Sequence, residues 1–157
     1  MIAIRPGTPD DLDSAYKLIQ ELAVFEREPD AVETTVKDMR EDGFGKHAVF
    51  EFFVAEDRDQ IVGLALYFYS YSTWKGKCVY LEDLIVTESY RGRGLGRRLL
   101  DAVVMKAQAE NAKRVVWQVL DWNTPAIDFY KSLEAELLPE WITCRLTAEQ
   151  IQDYKPQ

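Results

Sequence analysis

The sequence is poor in the residues from which many catalytic and metal sites are built. It contains a single histidine, His47, and two cysteines, Cys78 and Cys144, in 157 residues. Ser-His-Asp catalysis and sites with several histidine ligands would both depend on that one imidazole, so we expect no metal site. Two cysteines outside any CxxC pair cannot form a disulfide framework, which indicates a reduced, cytoplasmic setting.

Basic charge and long apolar runs are also missing. The net charge is −8 and the pI is about 4.7, which disfavours nucleic acid as a partner because binding it needs a basic face. Polar residues interrupt each apolar stretch before it reaches membrane-spanning length, and the first residues show no signal-peptide pattern. The acidity suits a cationic or neutral small partner, although acidity for solubility alone explains it equally well. The length fits one domain over residues 1–157.

Hydrophobic periodicity and turn signals predict the order β-α-α-β-β-β-α-β-α-β. The predicted strands cover residues 2–5, 50–56, 61–70, 78–87, 115–120 and 141–146. The predicted helices cover residues 8–23, capped by Thr8, 35–42, ended by Gly43, 95–111 and 124–133, with a last helical turn after Thr147. Hairpins come first and a strand-helix-strand crossover, which favours a parallel pair, comes later. The order predicts a mixed α/β (α+β) sheet with helices on both faces.

One glycine-rich loop, Arg91-Gly92-Arg93-Gly94-Leu95-Gly96, lies between a predicted strand and a predicted helix. Glycines permit a close backbone approach, and successive N–H groups at a helix N-terminus form an anion site. Arg91, Arg93, Arg97 and Arg98 add positive charge, so the loop suits a pyrophosphate, with a solvated basic turn as the alternative. It lacks the P-loop pattern and the Gly-x-Gly-x-x-Gly spacing of dinucleotide-binding domains.

Two segments together resemble a known family. Arg91, Gly94 and Gly96 fit the pattern Arg/Gln-x-x-Gly-x-Gly/Ala, and residues 121–131 resemble a later Asn-x-x-Ala-x-x-Phe-Tyr segment. Both are similar to the GNAT superfamily of N-acetyltransferases, and the resemblance covers nearly the whole chain. Short blocks further resemble the diamine (spermidine/spermine N1-) acetyltransferase group: residues 4–6, 21–23, 41–45, 80–83 and 90–92.

This resemblance implies a GNAT-like fold, acetyl-CoA as the cofactor and direct attack by an amine in a ternary complex. The implied cofactor-binding residues are Leu84, Ile85 and Val86 through their backbone, Arg91, Gly92, Arg93, Gly94, Leu95, Gly96 and Arg97 of the loop, and Asn123, Ala126 and Tyr130. Tyr130 is the implied catalytic acid for the departing thiolate, and Glu82 is the implied base, acting through water. Asn123 also suits a helix N-cap.

The resemblance implies that an amine pocket is lined by Phe25, Glu26, Glu82, Asp83 and Glu140. Carboxylates there would bind an ammonium ion yet oppose its deprotonation, so we expect activity to rise toward alkaline pH. Phe25 stands where diamine relatives often have tyrosine, so a thialysine-like amino acid remains an alternative acceptor. A peptide lysine and a noncatalytic acyl-CoA-binding role also remain open.

Two further expectations concern assembly and local geometry. The 141–146 strand and the apolar segment 67–69 are predicted to support a homodimer, mainly on the resemblance. Many relatives have glycine soon after Phe-Tyr-Lys, where this chain has Glu134, so the turn that follows Tyr130 departs from the pattern. A glycine would ease that exit by adopting a left-handed conformation.

Overall fold

The computed structural model describes residues 1–156, which divide into two compact units. The first unit runs from Met1 to Gln118, and the second begins at Val119. No helix of the described chain is both long enough and apolar enough to cross a membrane. The single domain over residues 1–157 stays a prediction.

The first unit is built on a five-stranded sheet, and its predicted mixed character is confirmed. Its strands are β1 (Ala3–Pro6), β2 (Glu51–Asp57), β3 (Gln60–Ser72), β4 (Gly76–Val86) and β5 (Val115–Val116), in that spatial order. The first three pairings are antiparallel, and β4 with β5 is parallel. The helices of this unit are α1 (Leu12–Phe25), α2 (Val36–Phe44) and α3 (Leu95–Ala109), and the second unit holds α4 (Thr124–Ser132) and α5 (Ala148–Gln152).

Helices cover both faces of this sheet because each has one apolar stripe. Leu12, Ala15 and Leu18 of α1 recur at helical spacing and pack with Met39 of α2. They meet alternate residues of three strands, which therefore share one face: Phe52, Val54, Leu64, Leu66 and Ile85. Burying each large side chain of this kind contributes about 1.5–3 kcal/mol.

The opposite face receives α3 at close range. Gly63 precedes Leu64 in β3 and so faces the other way. A Cβ atom on Gly63 would lie only 2.9 Å from Leu99 Cδ1 of α3. Glycine at this position lets α3, the helix that follows the glycine-rich loop, pack close to the sheet.

The parallel pair is much shorter than the sequence predicts. Instead of covering residues 115–120, β5 consists of Val115–Val116, which pair with Val79 and Tyr80. Beyond Tyr80, β4 continues to Val86 although β5 has ended. The predicted extent was wrong because an apolar run indicates burial and does not specify a neighbouring strand.

The end of α2 also differs from the prediction. The helix passes through Gly43 and ends at Phe44, with Gly45 as its cap. A Cβ atom on Gly43 would lie 2.6 Å from Phe50 Cζ, so this glycine permits close packing of the helix on Phe50. The prediction was wrong because a glycine required for packing against a residue outside the helix has the same local signal as a helix stop.

The strand predicted at 141–146 does not form. These residues have no regular secondary structure, and Trp141 and Ile142 are 70% and 84% exposed. A strand is stable only beside another strand, and the described part of the second unit contains none. The sequence pattern of these residues was therefore insufficient to predict a strand.

The helix that carries Tyr130 ends in a Schellman motif. The Glu134 N–H donates to the Lys131 carbonyl at 2.9 Å, and the Ala135 N–H donates to the Tyr130 carbonyl at 3.2 Å. Glu134 has a φ of 61°, the left-handed conformation that glycine adopts without steric cost. The expected helix exit thus forms despite the missing glycine.

Candidate functional site

The carboxyl half of β4 presents backbone groups along an edge without a strand. The Thr87 N–H donates to the Val62 carbonyl of β3 at 2.9 Å. Since backbone groups alternate between the two sides of a strand, Leu84 and Val86 direct theirs away from β3, whereas Ile85 directs its groups toward β3. No strand among residues 1–156 pairs with β4 along this stretch. The open edge can therefore hydrogen-bond an extended ligand.

A bulge in β4 gives Glu82 and Asp83 different surroundings. Leu66 pairs with Asp83 and the next residue, Tyr67, pairs with Leu81, so Glu82 is the extra residue. Asp83 lies opposite Leu66, on the face that α1 covers, whereas Glu82 is exposed. In a regular strand, the neighbouring side chains of Glu82 and Asp83 would point to opposite faces of the sheet. The bulge interrupts that alternation and re-aims Glu82.

Three carboxylates influence one another in this region. Burial, together with the charges of Glu82 and Glu26, raises the pKa of Asp83 to about 7. Burial and then the charge of Glu82 also raise the pKa of Glu26. Crowded carboxylates favour either a proton or a bound cation, because each relieves the repulsion. The cluster of Glu26, Glu82 and Asp83, hereafter the acidic cluster, thus suits an ammonium ion.

Aromatic rings adjoin the acidic cluster. Phe68 and Tyr80 pair across β3 and β4 two positions beyond Leu66 on β3, and their ring centroids are 4.9 Å apart. Burial and then the charge of Glu82 raise the pKa of the Tyr80 hydroxyl. Rings beside carboxylates suit an ammonium ion on a hydrocarbon stem.

Phe25 and Glu26 are placed by the end of α1. Phe25 is the last helical residue and is 41% exposed, and Glu26 caps the helix. The Arg91 guanidinium carbon lies 5.2 Å from the centre of the Phe25 ring. The end of α1 is thereby in contact with the first residue of the glycine-rich loop.

The glycine-rich loop forms an open cradle at the N-terminus of α3. Gly92 and Gly94 have φ values of 74° and 73°, and Gly94 caps the helix. A Cβ atom on Gly92, Gly94 or Gly96 would meet nothing within 4 Å. The first N–H groups of a helix lack acceptors within it, and its dipole favours an anion there. The cradle therefore offers backbone donors and room for a phosphate group.

The arginine side chains of this loop all contact protein groups. Arg91 Nε donates to the Val86 carbonyl at 2.9 Å, and Arg93 Nη2 donates to the Ser89 carbonyl at 3.2 Å. Arg97 pairs with Asp101 at 2.8 Å, and Arg98 donates to the Ile2 carbonyl. In this arrangement the backbone N–H groups can donate to an anion directly, and the guanidinium groups add positive potential.

The other predicted residues belong to the second unit. Asn123 is the N-cap of α4, and its side-chain oxygen accepts from the Ala126 N–H at 3.4 Å, so the expected capping role is confirmed. Tyr130 lies on α4, with its ring 5.4 Å from that of Phe129. Glu140 lies in an exposed turn. The roles of these residues toward a ligand stay predictions.

Sequence reasoning missed the contribution of Glu21. Its carboxylate accepts hydrogen bonds from Thr87 and Glu88 just before the glycine-rich loop. The sequence marked Glu21 only as part of a short block and gave no sign of this contact. A partner 66 residues away leaves no local signal.

The chain is similar in sequence to proteins of known family. A profile described as the acetyltransferase (GNAT) family matches residues 12–134. The chain is 36% identical over 163 residues to a thialysine N-epsilon-acetyltransferase from Bos taurus, covering 97% of this chain and 96% of that protein. It is 35% identical over 160 residues to a spermidine/spermine N(1)-acetyltransferase-like protein 1 from Homo sapiens, covering 96% of this chain and 23% of that protein.

A solved structure shows the same fold. Aminoglycoside N-acetyltransferase AAC(6')-Iy, in complex with CoA, matches with a TM-score of 0.75 at 19% identity. The match covers 93% of this chain and 95% of that chain.

The raised pKa of Asp83 predicts that Asp83→Asn increases the free energy of unfolding, by an amount that depends on pH. An acid with a folded pKa of about 7 keeps its proton where the unfolded chain, with a value near 4, has lost it. Wild-type stability therefore falls as pH rises through this window, and the asparagine variant should gain progressively over it. Urea unfolding at several pH values measures the difference, with Asp13→Asn, an exposed acid of α1, as the control. A pH-independent difference for Asp83→Asn would contradict the raised pKa.

Proposed function

Because the chain belongs to the acetyltransferase (GNAT) family, we propose that it transfers an acetyl group from acetyl-CoA to the primary amine of a small cationic acceptor. The observation that supports this proposal is the open edge of β4, which has the glycine cradle at its end and the acidic cluster beside it. An extended thioester and a cationic amine both find matching groups there.

The residues present fit CoA. The cradle leaves open space at Gly92, Gly94 and Gly96, where a pyrophosphate can approach helix N–H groups. The outward-facing backbone groups of Leu84 and the N–H of Val86 suit the amide-bearing pantetheine arm, whereas the Val86 carbonyl already accepts from Arg91 Nε. When bound, acetyl-CoA supplies the thioester carbonyl that an amine attacks. GNAT acetyltransferases use this cofactor.

The acidic cluster selects a positively charged acceptor. Glu26, Glu82 and Asp83 attract an ammonium ion, and the stacked Phe68 and Tyr80 rings can accompany its hydrocarbon stem. Asp83 ionises near pH 7, so attraction for a cation strengthens as the pH rises through that value. A deprotonated amine is needed for attack, and it too becomes more abundant with rising pH.

Glu82 and Tyr130 are the proposed proton carriers. Glu82 is exposed on the bulge, where a water molecule can reach it and relay the proton from the amine. Asp83 holds the cationic amine. Tyr130 gives its hydroxyl proton to the departing thiolate; support for this role comes from the Asn-x-x-Ala-x-x-Phe-Tyr match. Asn123 and Ala126 belong to that same segment, and we propose that both residues bind the cofactor.

An amino-acid amine is the second candidate acceptor. The relative at 36% identity is named for thialysine, and Phe25 replaces the tyrosine that is frequent in the diamine group. Either acceptor is a small amine that carries positive charge, so the acidic cluster serves both. A homodimer and a cytoplasmic location remain predictions from the sequence.

A CoA-release assay with spermidine, putrescine, lysine, thialysine and a lysine peptide tests the function. We expect turnover of small diamines or of the amino acids to exceed that of the peptide, and kcat/KM to rise from pH 6 to pH 9. Tight acetyl-CoA binding without release on any amine would instead support a noncatalytic binding role. Preferred turnover of the peptide would overturn the small-acceptor proposal.

Tyr130→Phe tests the proposed acid. The variant keeps the ring and lacks the hydroxyl proton, so we expect normal folding and a kcat lowered by about 10²–10⁴. Tyr154→Phe, at an exposed tyrosine beyond α5, is the matched control. Steady-state kinetics measure kcat for both variants. A wild-type kcat in Tyr130→Phe would contradict the assignment of Tyr130 as the acid.

Gly94→Ala tests the cradle. Its Cβ enters the open space and meets the left-handed φ of 73°, which costs an alanine about 1–2 kcal/mol. We expect affinity for acetyl-CoA, measured by calorimetry, to fall about tenfold or more. Gly96→Ala is the control, because the signature accepts alanine there and the position has no left-handed φ. Equal affinity in Gly94→Ala and wild type would remove the cradle from the cofactor site.

A further inference from the structure

Glu21 connects helix α1 to the segment that enters the glycine-rich loop. Its Oε2 accepts from the Thr87 hydroxyl at 2.9 Å, and its Oε1 accepts from the Glu88 N–H at 2.9 Å. The same Oε1 lies 3.5 Å from Arg91 Nη2. One carboxylate on α1 thus contacts three residues of the segment that follows β4: Thr87, Glu88 and Arg91.

Arg91 extends this connection in two directions. Its Nε donates to the carbonyl of Val86, the last residue of β4, at 2.9 Å. Its guanidinium carbon also lies 5.2 Å from the centre of the Phe25 ring. Because these protein groups engage the guanidinium, Arg91 fixes the start of the loop through Val86 and Glu21.

The connection reaches both halves of the proposed site. Glu21 and Phe25 are four residues apart on α1, so they lie on one side of the helix, one turn from each other. Phe25 and Glu26 form the acceptor end of this helix, while Val86 and Arg91 border the cofactor edge and the cradle. A displacement of Glu21 would therefore alter both the acceptor end of α1 and the cofactor edge of the site.

We propose that Glu21 is a positioning residue that holds the acceptor end of α1 in a fixed position relative to the glycine-rich loop. The inference rests on the proposed function, since it concerns the same site. Glu21 acts through Arg91, Thr87 and Glu88 and needs no contact with either substrate. Without its charge, Arg91 loses the ion pair that keeps its guanidinium between Phe25 and Val86.

The contact is suited to positioning more than to stability. The Arg91 and Glu21 side chains are 41% and 32% exposed. Ion pairs at such exposed positions contribute little to folding, whereas their effect on the placement of a loop can be larger. We therefore expect a variant of Glu21 that folds and yet works poorly.

Glu21→Gln, compared with wild type, tests the proposal. It preserves the shape of the side chain and removes its charge. We expect KM to rise for both acetyl-CoA and the acceptor, each on the order of fivefold or more, with little change in melting temperature. Asp13→Asn, an exposed acid two turns earlier on α1, should leave both KM values unchanged.

A double-mutant cycle with Arg91→Gln sharpens the test. If the two residues act as one unit, the double variant should be no worse than the more impaired single variant, because the second change removes a contact already lost. If the losses of the two single variants instead multiply in the double variant, the two residues act independently, and that result would overturn the proposed coupling. So would a rise in KM for acetyl-CoA alone, or a lower melting temperature with unchanged kinetics.

Failure of this inference is distinguishable from failure of the proposed function. A wild-type protein that binds no acetyl-CoA in calorimetry and acetylates no amine would overturn the function, and the inference with it. Wild-type activity together with an unaffected Glu21→Gln variant would overturn the inference alone.

Discussion

The candidate site depends on the early end of one strand pairing. β5 accompanies β4 only at Val79 and Tyr80, so the rest of β4 keeps one strand neighbour instead of two. Backbone groups on such an edge must find other partners, and an extended ligand can supply them. The bulge at Glu82 lies on the same stretch, and the glycine cradle follows directly. A longer parallel pair would close the edge and leave the cradle without its proposed function.

The acidic cluster illustrates how binding strength and stability oppose each other. Partial burial beside Glu26 and Glu82 makes the ionised form of Asp83 costly, as its raised pKa shows. A bound ammonium ion relieves that cost, so the protein gains most from its ligand where it is least stable without one. The same raised pKa would make binding of the proposed cationic acceptor sensitive to pH near neutrality.

The sequence predicted the fold class and the position of the glycine-rich loop well because both rest on local signals. Apolar periodicity located α1 and α3, and a glycine pattern between a strand and a helix located the cradle. The errors came from contacts between different elements of the fold. The 115–120 and 141–146 strands needed neighbours that local sequence does not specify, and Gly43 serves packing on Phe50. The bulge at Glu82 and the Glu21 contacts likewise depend on residues distant in sequence.

Arg91 shows why a signature residue need not bind the ligand that its signature identifies. A guanidinium near a phosphate loop suggests direct ion pairing, yet here it contacts Val86, Glu21 and the Phe25 ring. The cradle can bind an anion without it, because helix N–H groups already provide donors and positive potential. An arginine at this position then contributes something the backbone cannot, which is a reach long enough to join the loop to α1. Arg91 and Glu21 can thus serve the proposed site together without either of them contacting CoA.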